Sequence, residues 1–139
     1  MTIMKSFMCV ACVAVAAATA MSAAAQDNRE TVTTQFEQPI ANIPGKSLVA
    51  IVVDYAPGGS SPAHKHSDSA FIFAYVLSGE IESQVNDGPR RVYHAGESWY
   101  EAPGSRHPVS RNASETEPAK LLAVFVVDSN DKPLTTPVN

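Results

Sequence analysis

Two histidines separated by a single residue, His64 and His66, are the strongest chemical signal in this sequence. Residues two apart in a β-strand point to the same face, so both imidazoles can reach one ion. A third histidine, His107, follows the turn residues Pro103 and Gly104 and starts another short strand. Imidazole nitrogen suits divalent transition metals such as Fe, Mn, Zn, Cu or Ni. His64 and His66 are therefore candidate ligands of one such ion, with His107 as a third candidate, although a lone His-x-His is also common at a protein surface.

Two further polar side chains are candidates for the same site. Glu101 lies on the strand that leads to His107, and Gln84 lies on a neighbouring strand. Either can act as a fourth ligand, as a partner that orients an imidazole, or as a general acid or base. An acidic residue before a Pro-Gly turn is also commonly solvated, so the role of Glu101 stays open. The remaining histidine, His94, stands in a turn and is predicted to lie at the surface.

Short β-branched runs, broken by Pro and Gly, predict the elements that position these residues. The sequence indicates strands over 47–55, 71–77, 81–85, 91–93, 98–101 and 120–127, and a polar loop over 112–118 after Val109. The turn Asn86-Asp87-Gly88-Pro89 is typical of a β-hairpin. Residues after the leader show no sustained apolar repeat at helical spacing, so we predict an all-β sandwich or barrel.

The first 25 residues read as a secretory leader. Lys5 precedes an uncharged apolar run, and Ala23 and Ala25 fit a cleavage site after Ala25. The run is too short and too Ala-rich for a spanning helix, and Cys12 is poorly placed for a lipoprotein anchor. Cys9 and Cys12 would both leave with the leader, so their C-x-x-C spacing carries no redox or zinc function. We expect a periplasmic or secreted protein with no membrane attachment after cleavage.

Length and net charge limit the number of domains and the kinds of partner that we expect. The chain has 139 residues, 45% hydrophobic and 17% charged, which suits a single folded domain. Removing the leader removes one basic residue, Lys5, and takes the net charge from −4 to −5. This balance argues against a nucleic-acid partner. We divide the remainder into an N-terminal arm over 26–46, loose over 26–35, a barrel over 47–128 and an extended tail over 129–139.

Two motifs resemble those of the cupin superfamily. The first, G-x5-H-x-H-x3,4-E-x6-G, matches at Gly58, His64, His66 and Gly79. The second, G-x5-P-x-G-x2-H-x3-N, matches at Gly96, Gly104 and His107, with Ala102 in place of the first Pro and Asn112 one position late. The resemblance covers about Leu48 to Val127. It implies a single cupin β-barrel, or double-stranded jelly roll.

The motif glutamate, usually a metal ligand in that family, is missing. Depending on the direction of counting, Ile72, Ala70 or Phe71 occupies its position, and none of them binds a metal. The resemblance therefore implies a three-histidine site, as in some cupin dioxygenases with three-histidine iron centres. The alternative is a metal-free cupin that binds its ligand through a polar pocket.

The resulting functional hypotheses differ in chemistry. The first is an exported, metal-dependent, oxygenase-like enzyme that acts on a small organic molecule, with Ile72, Ala74, Val76 and Trp99 lining its pocket. The second is a non-catalytic protein that binds a small ligand or has a structural role. The strand over 71–77 is apolar on both faces, so one face must pack on the N-terminal arm or on another subunit. Because dimers are common among similar families, we expect a homodimer.

Overall fold

The computed structural model describes residues 29–138. The predicted leader, with Cys9 and Cys12, lies outside these residues. Within them no helix is long and apolar enough to cross a membrane. The strands are β1 (Glu30–Pro39), β2 (Lys46–Tyr55), β3 (His64–His66), β4 (Phe71–Ser78), β5 (Glu80–Gln84), β6 (Arg91–His94), β7 (Ser98–Glu101), β8 (Arg106–His107), β9 (Val109–Asn112), β10 (Ala119–Asp128) and β11 (Thr135–Pro137).

The strands form one five-stranded sheet and two three-stranded sheets. The order in the large sheet is β1-β2-β10-β4-β7, and the smaller sheets run β11-β3-β8 and β6-β5-β9. Every pairing between these strands is antiparallel. This arrangement is a double-sheet jelly roll, and it confirms the predicted all-β fold.

The core forms because the long strands alternate between inward and outward side chains. In β10 the inward residues Leu121, Phe125 and Val127 are at most 4% exposed. In β4 the inward residues Ile72 and Val76 are almost fully buried. Burying each large apolar side chain contributes about 1.5–3 kcal/mol. These inward faces therefore hold the large sheet against the small ones.

The outward face of β4 remains exposed. Phe71, Phe73 and Leu77 keep 45%, 43% and 41% of their surface accessible. The N-terminal strand does not cover this face, because β1 extends the sheet at the edge of β2. The strands β2 and β10 separate β1 from β4. Of the two predicted ways to cover the face, packing under the N-terminal arm does not occur for the described part of the arm, residues 29–46.

The loose arm predicted over 26–35 is wrong from Glu30 onwards. β1 pairs with β2 along its length, from Glu30 opposite Tyr55 to Pro39 opposite Ser47. Its side chains are almost all exposed, so no apolar alternation marked it in the sequence. It is held as an edge strand by main-chain pairing, for which Thr and Val have a high propensity. Within the predicted tail over 129–139, β11 pairs with β3.

Candidate metal centre

The three predicted histidines converge at the β3–β8 pair. His64 and His107 are direct partners in the antiparallel register, and His66 lies on the same face of β3 as His64. One ring nitrogen from each lies within 4.8 Å of the others. The ring centroids are 4.8 Å apart for His64 and His66, and 5.2 Å apart for His64 and His107. Small side-chain rotations would let all three reach one ion.

Neighbouring polar groups orient two of the three rings. Nδ1 of His64 donates to the carbonyl oxygen of Pro62 at 2.8 Å, which leaves Nε2 with a free lone pair. Nε2 of His107 is hydrogen-bonded to the Ser83 hydroxyl at 2.8 Å. Partners of this kind set ring orientation in metal sites. Ser83 was not predicted, although it shares the inward face of β5 with Ile81.

Burial keeps His64 and His107 neutral at neutral pH. It lowers the pKa of His107 to about 4, although the Glu101 carboxylate acts in the opposite direction. Burial likewise lowers the pKa of His64, with a smaller opposing effect from the Pro62 carbonyl. A neutral imidazole is the form that binds a metal. The electrostatics of the site therefore suit metal binding at neutral pH.

Glu101 lies inside the same cluster. It is 2% exposed, its Oε2 is 2.9 Å from Nε2 of His66, and its Oε1 is 3.4 Å from Nδ1 of His107. The indole N–H of Trp99 donates to Oε1 at 3.1 Å. Burial alone raises the pKa of Glu101, but His66, His107 and Trp99 together outweigh it and hold the pKa below its usual value. The carboxylate is thus an anion beside the neutral imidazole of His107.

Other candidate residues occupy different places. The Gln84 amide donates to the Gly88 carbonyl at 2.9 Å and accepts from Arg90, both within the β5–β6 hairpin. His94 is exposed and pairs with Glu80 at 3.3 Å, as predicted for a surface residue. These contacts hold both side chains at the hairpin rather than beside the three histidines.

A cavity of about 290 Å³ opens beside the histidines. The candidate lining residues Ile72 and Ala74 do line it. Val76 instead packs in the core with Ile81 and Leu121, and Trp99 packs on Tyr93 while it holds Glu101. Further apolar wall comes from residues that alternate inward on the long strands: Ile51, Val53, Leu121, Ala123 and Phe125.

A polar group that the sequence analysis missed also lines this cavity. The Tyr55 hydroxyl hydrogen-bonds to Ser61 at 2.7 Å and to Ser110 at 2.9 Å, and Ser61 donates to the Glu30 carboxylate. Burial raises the pKa of Tyr55 to about 12, despite its two hydroxyl partners. The cavity thus combines apolar walls, the histidine cluster and a neutral hydrogen-bonding hydroxyl. Such a cavity suits a small organic molecule.

The donor set fits a divalent transition metal. Both ring nitrogens of His66 and Oε2 of Glu101 are buried and have no hydrogen-bond partner among the described residues. Buried polar atoms are normally satisfied, so an unsatisfied group suggests a missing ion or water. Three imidazoles beside an ionised carboxylate form a common ligand type for Fe, Mn, Zn, Cu or Ni.

The cupin domain family matches residues 51–125 of the chain. This protein belongs to the cupin family. The match includes β3, β4 and β8, and so all three clustered histidines. Among curated proteins, none matches the chain significantly.

Solved structures agree with this family. An oxalate oxidase structure is 26% identical, with a TM-score of 0.62, and covers 82% of this chain. This cupin spans only 57% of that oxidase chain. A cupin 2 conserved barrel protein from Salinispora arenicola is 30% identical over 71% of this chain and 76% of its own, with a TM-score of 0.54. A double-stranded β-helix protein from Klebsiella pneumoniae, 21% identical with a TM-score of 0.63, covers 81% of this chain and 87% of its own and shares the fold.

The second-motif asparagine of this cupin has a structural role. Asn112 is 1% exposed, and its amide donates to the carbonyls of Ala56 and Glu117. Its side-chain oxygen accepts from the backbone N–H of Ser114 at 2.9 Å. Asn112 thus ties the β9–β10 loop to the end of β2, although it stands one position later than in the motif.

Proposed function

We propose that this cupin binds one divalent transition metal through His64, His66 and His107 and acts as an oxygenase-like enzyme on a small organic molecule. The observation that carries the proposal is the convergence of these three side chains at one end of the cavity. A bound metal would supply Lewis-acid or redox chemistry there. The identity of the ion stays open among Fe, Mn, Zn, Cu and Ni.

The residues around the metal position determine the polarity of the cavity that would hold a substrate. Ile72, Ala74 and Phe125 give the cavity an apolar wall. The Tyr55 hydroxyl, held by Ser61 and Ser110, offers a fixed hydrogen-bonding group. Small organic acids are the first substrate class to test, because one similar structure is an oxalate oxidase and another contains the substrate analogue glycolate.

The second candidate is a cupin that binds a small ligand without catalysis. Ile72 at the position of the motif glutamate favours it, since the usual carboxylate ligand is absent there. The Tyr55 cluster would then bind the ligand unaided by a metal. Metal analysis separates the two candidates, because this one requires no ion for ligand binding.

The metal proposal is tested on protein exported to the periplasm of a bacterial host and analysed by elemental mass spectrometry. We expect about one divalent transition metal per chain, and its loss in His64→Ala/His66→Ala. His94→Ala is the matched control, because the His94 side chain is exposed and its ion pair is with Glu80, away from the three histidines. Metal retained in full by the double variant would place the site elsewhere.

We also propose export, on the basis of the leader over residues 1–25. The same periplasmic preparation tests it through the intact mass of the protein. A mature chain that starts at Gln26 supports cleavage after Ala25, whereas an intact Met1 terminus contradicts it.

A further inference from the structure

The carboxylate missing from the first motif has a counterpart on the adjacent strand. Ile72 of β4, which takes the motif position when counted back from Gly79, is the register partner of Glu101 of β7. Opposed residues in an antiparallel pair point to the same face, with Cβ atoms about 5 Å apart. Both side chains line the cavity beside the histidines. Glu101 therefore delivers a carboxylate to the region that the motif glutamate would occupy, from one strand away.

Glu101 and His66 approach within hydrogen-bonding distance, but the geometry of the contact leaves both facing atoms unsatisfied. Oε2 and Nε2 approach to 2.9 Å, yet each is without a hydrogen-bond partner within residues 29–138. Nδ1 of His66 has no partner there either. Two donor atoms that share an ion at about 2.1 Å in cis positions lie about 3 Å apart. One cation would satisfy both atoms at this separation.

Trp99 hydrogen-bonds to one oxygen of the Glu101 carboxylate and leaves the other oxygen available to a metal. Its indole N–H donates to Oε1 at 3.1 Å, while Oε2 faces His66. Trp99 lies in β7, two residues before Glu101, and faces Ala74 across the β4–β7 pair. Hydrogen bonds to a ligating carboxylate fix its orientation in metal sites. The arrangement favours coordination through Oε2 alone.

We propose that Glu101 is the carboxylate ligand of this cupin and substitutes from β7 for the glutamate absent from β4. The inference rests on the proposed function, since it requires the three-histidine metal site. The ligand set becomes three imidazoles and one carboxylate, and the carboxylate offsets one of the two charges of a divalent ion. Gln84 is then not required as a ligand, in agreement with its contacts in the hairpin.

Cobalt(II) binding tests the proposal, because its visible spectrum reports the donor atoms and a competing chelator reports the affinity. We compare the wild type with Glu101→Gln and Glu101→Asp. Gln keeps the shape but removes the charge, whereas Asp keeps the charge but withdraws the oxygen by one methylene. We expect both to weaken cobalt binding about 10-fold to 100-fold and to change the spectrum. Glu37→Gln, in exposed β1, should change neither.

A double variant tests the substitution directly. Ile72→Glu/Glu101→Gln returns the carboxylate to the motif position, and we expect it to recover at least 10-fold of the lost affinity. If it fails to fold, as judged by circular dichroism, the two single Glu101 variants decide the matter.

Three outcomes would contradict the inference. Wild-type affinity and spectrum in Glu101→Gln would overturn it. Weaker binding with an unchanged spectrum would also overturn it, because Glu101 would then act only by positioning His66. In both cases the three-histidine site would survive. A wild type that binds no cobalt would instead overturn the proposed function together with this inference.

Discussion

The cluster of His64, His66, His107 and Glu101 combines neutral and charged groups in a way that depends on burial. Burial disfavours protonation of His64 and His107, whereas Glu101 stays ionised because of its neighbours. The anion thus lies beside His107, which stays neutral at pH 7. The cluster is therefore arranged for binding a cation rather than for the stability of the apo protein.

This arrangement predicts that the metal-free protein loses stability in weak acid. His107 has a pKa of about 4 when folded, against about 6.5 unfolded, so the unfolded state binds more protons between these values. Stability is fully present above pH 6.5 and falls as pH drops towards 4. The loss from His107 approaches about 3 kcal/mol. Urea unfolding in a chelator between pH 7.5 and 4.5 measures it.

A control separates His107 from other titrating groups. In His107→Asn the slope of stability against pH should be shallower over the same interval. The lowered pKa of Glu101 places its own protonation near the bottom of the interval or beneath it. Equal slopes in wild type and variant would contradict the assigned role of His107.

At the scale of strands, the sequence was most informative where one side of an element is buried. Continuous apolar runs marked β4 and β10, and the His-x-His spacing marked the face of β3 that meets β8. β1 was missed because its exposed side chains carry no such pattern. The cross-strand pairing of Ile72 with Glu101 could not be predicted either, because neither segment alone determines the register between β4 and β7.

Two glycines in the left-handed region allow a test of how tightly the strands are joined. Gly79 links β4 to β5 with φ of +72°, and a Cβ there would lie 2.6 Å from the Pro118 carbonyl oxygen. Gly45 has φ of +78°, but a Cβ there meets nothing within 4 Å. Both positions therefore carry the same backbone strain on substitution, and only Gly79 adds a clash.

We expect Gly45→Ala to cost about 1 kcal/mol of unfolding free energy, from the left-handed backbone alone. Gly79→Ala should cost about 3 kcal/mol, because the clash with Pro118 and Ala119 adds to the same strain. Urea denaturation of the two variants gives the difference directly. Equal losses would show that the β4–β5 turn adjusts without cost.

Across the whole molecule, the most prominent surface feature is the outer face of the large sheet. Phe71, Phe73 and Tyr75 of β4 stand opposite Val126, Val124 and Leu122 of β10. Tyr100 of β7 is 68% exposed and stacks on Phe71 with centroids 5.8 Å apart. A contiguous apolar patch of this kind usually marks an interface. A second copy of the chain would cover it with a self-complementary surface.

We therefore predict a homodimer that buries this outer face. Phe73→Glu places a charge at its centre and should give monomers or aggregates, because an unpaired carboxylate is costly to bury. Val92→Glu is the matched control, since Val92 is a similarly exposed residue on β6, in a different sheet. Sedimentation velocity at micromolar concentration distinguishes the species. A monomeric wild type, or a Phe73→Glu variant that remains a dimer, would exclude this face as the interface.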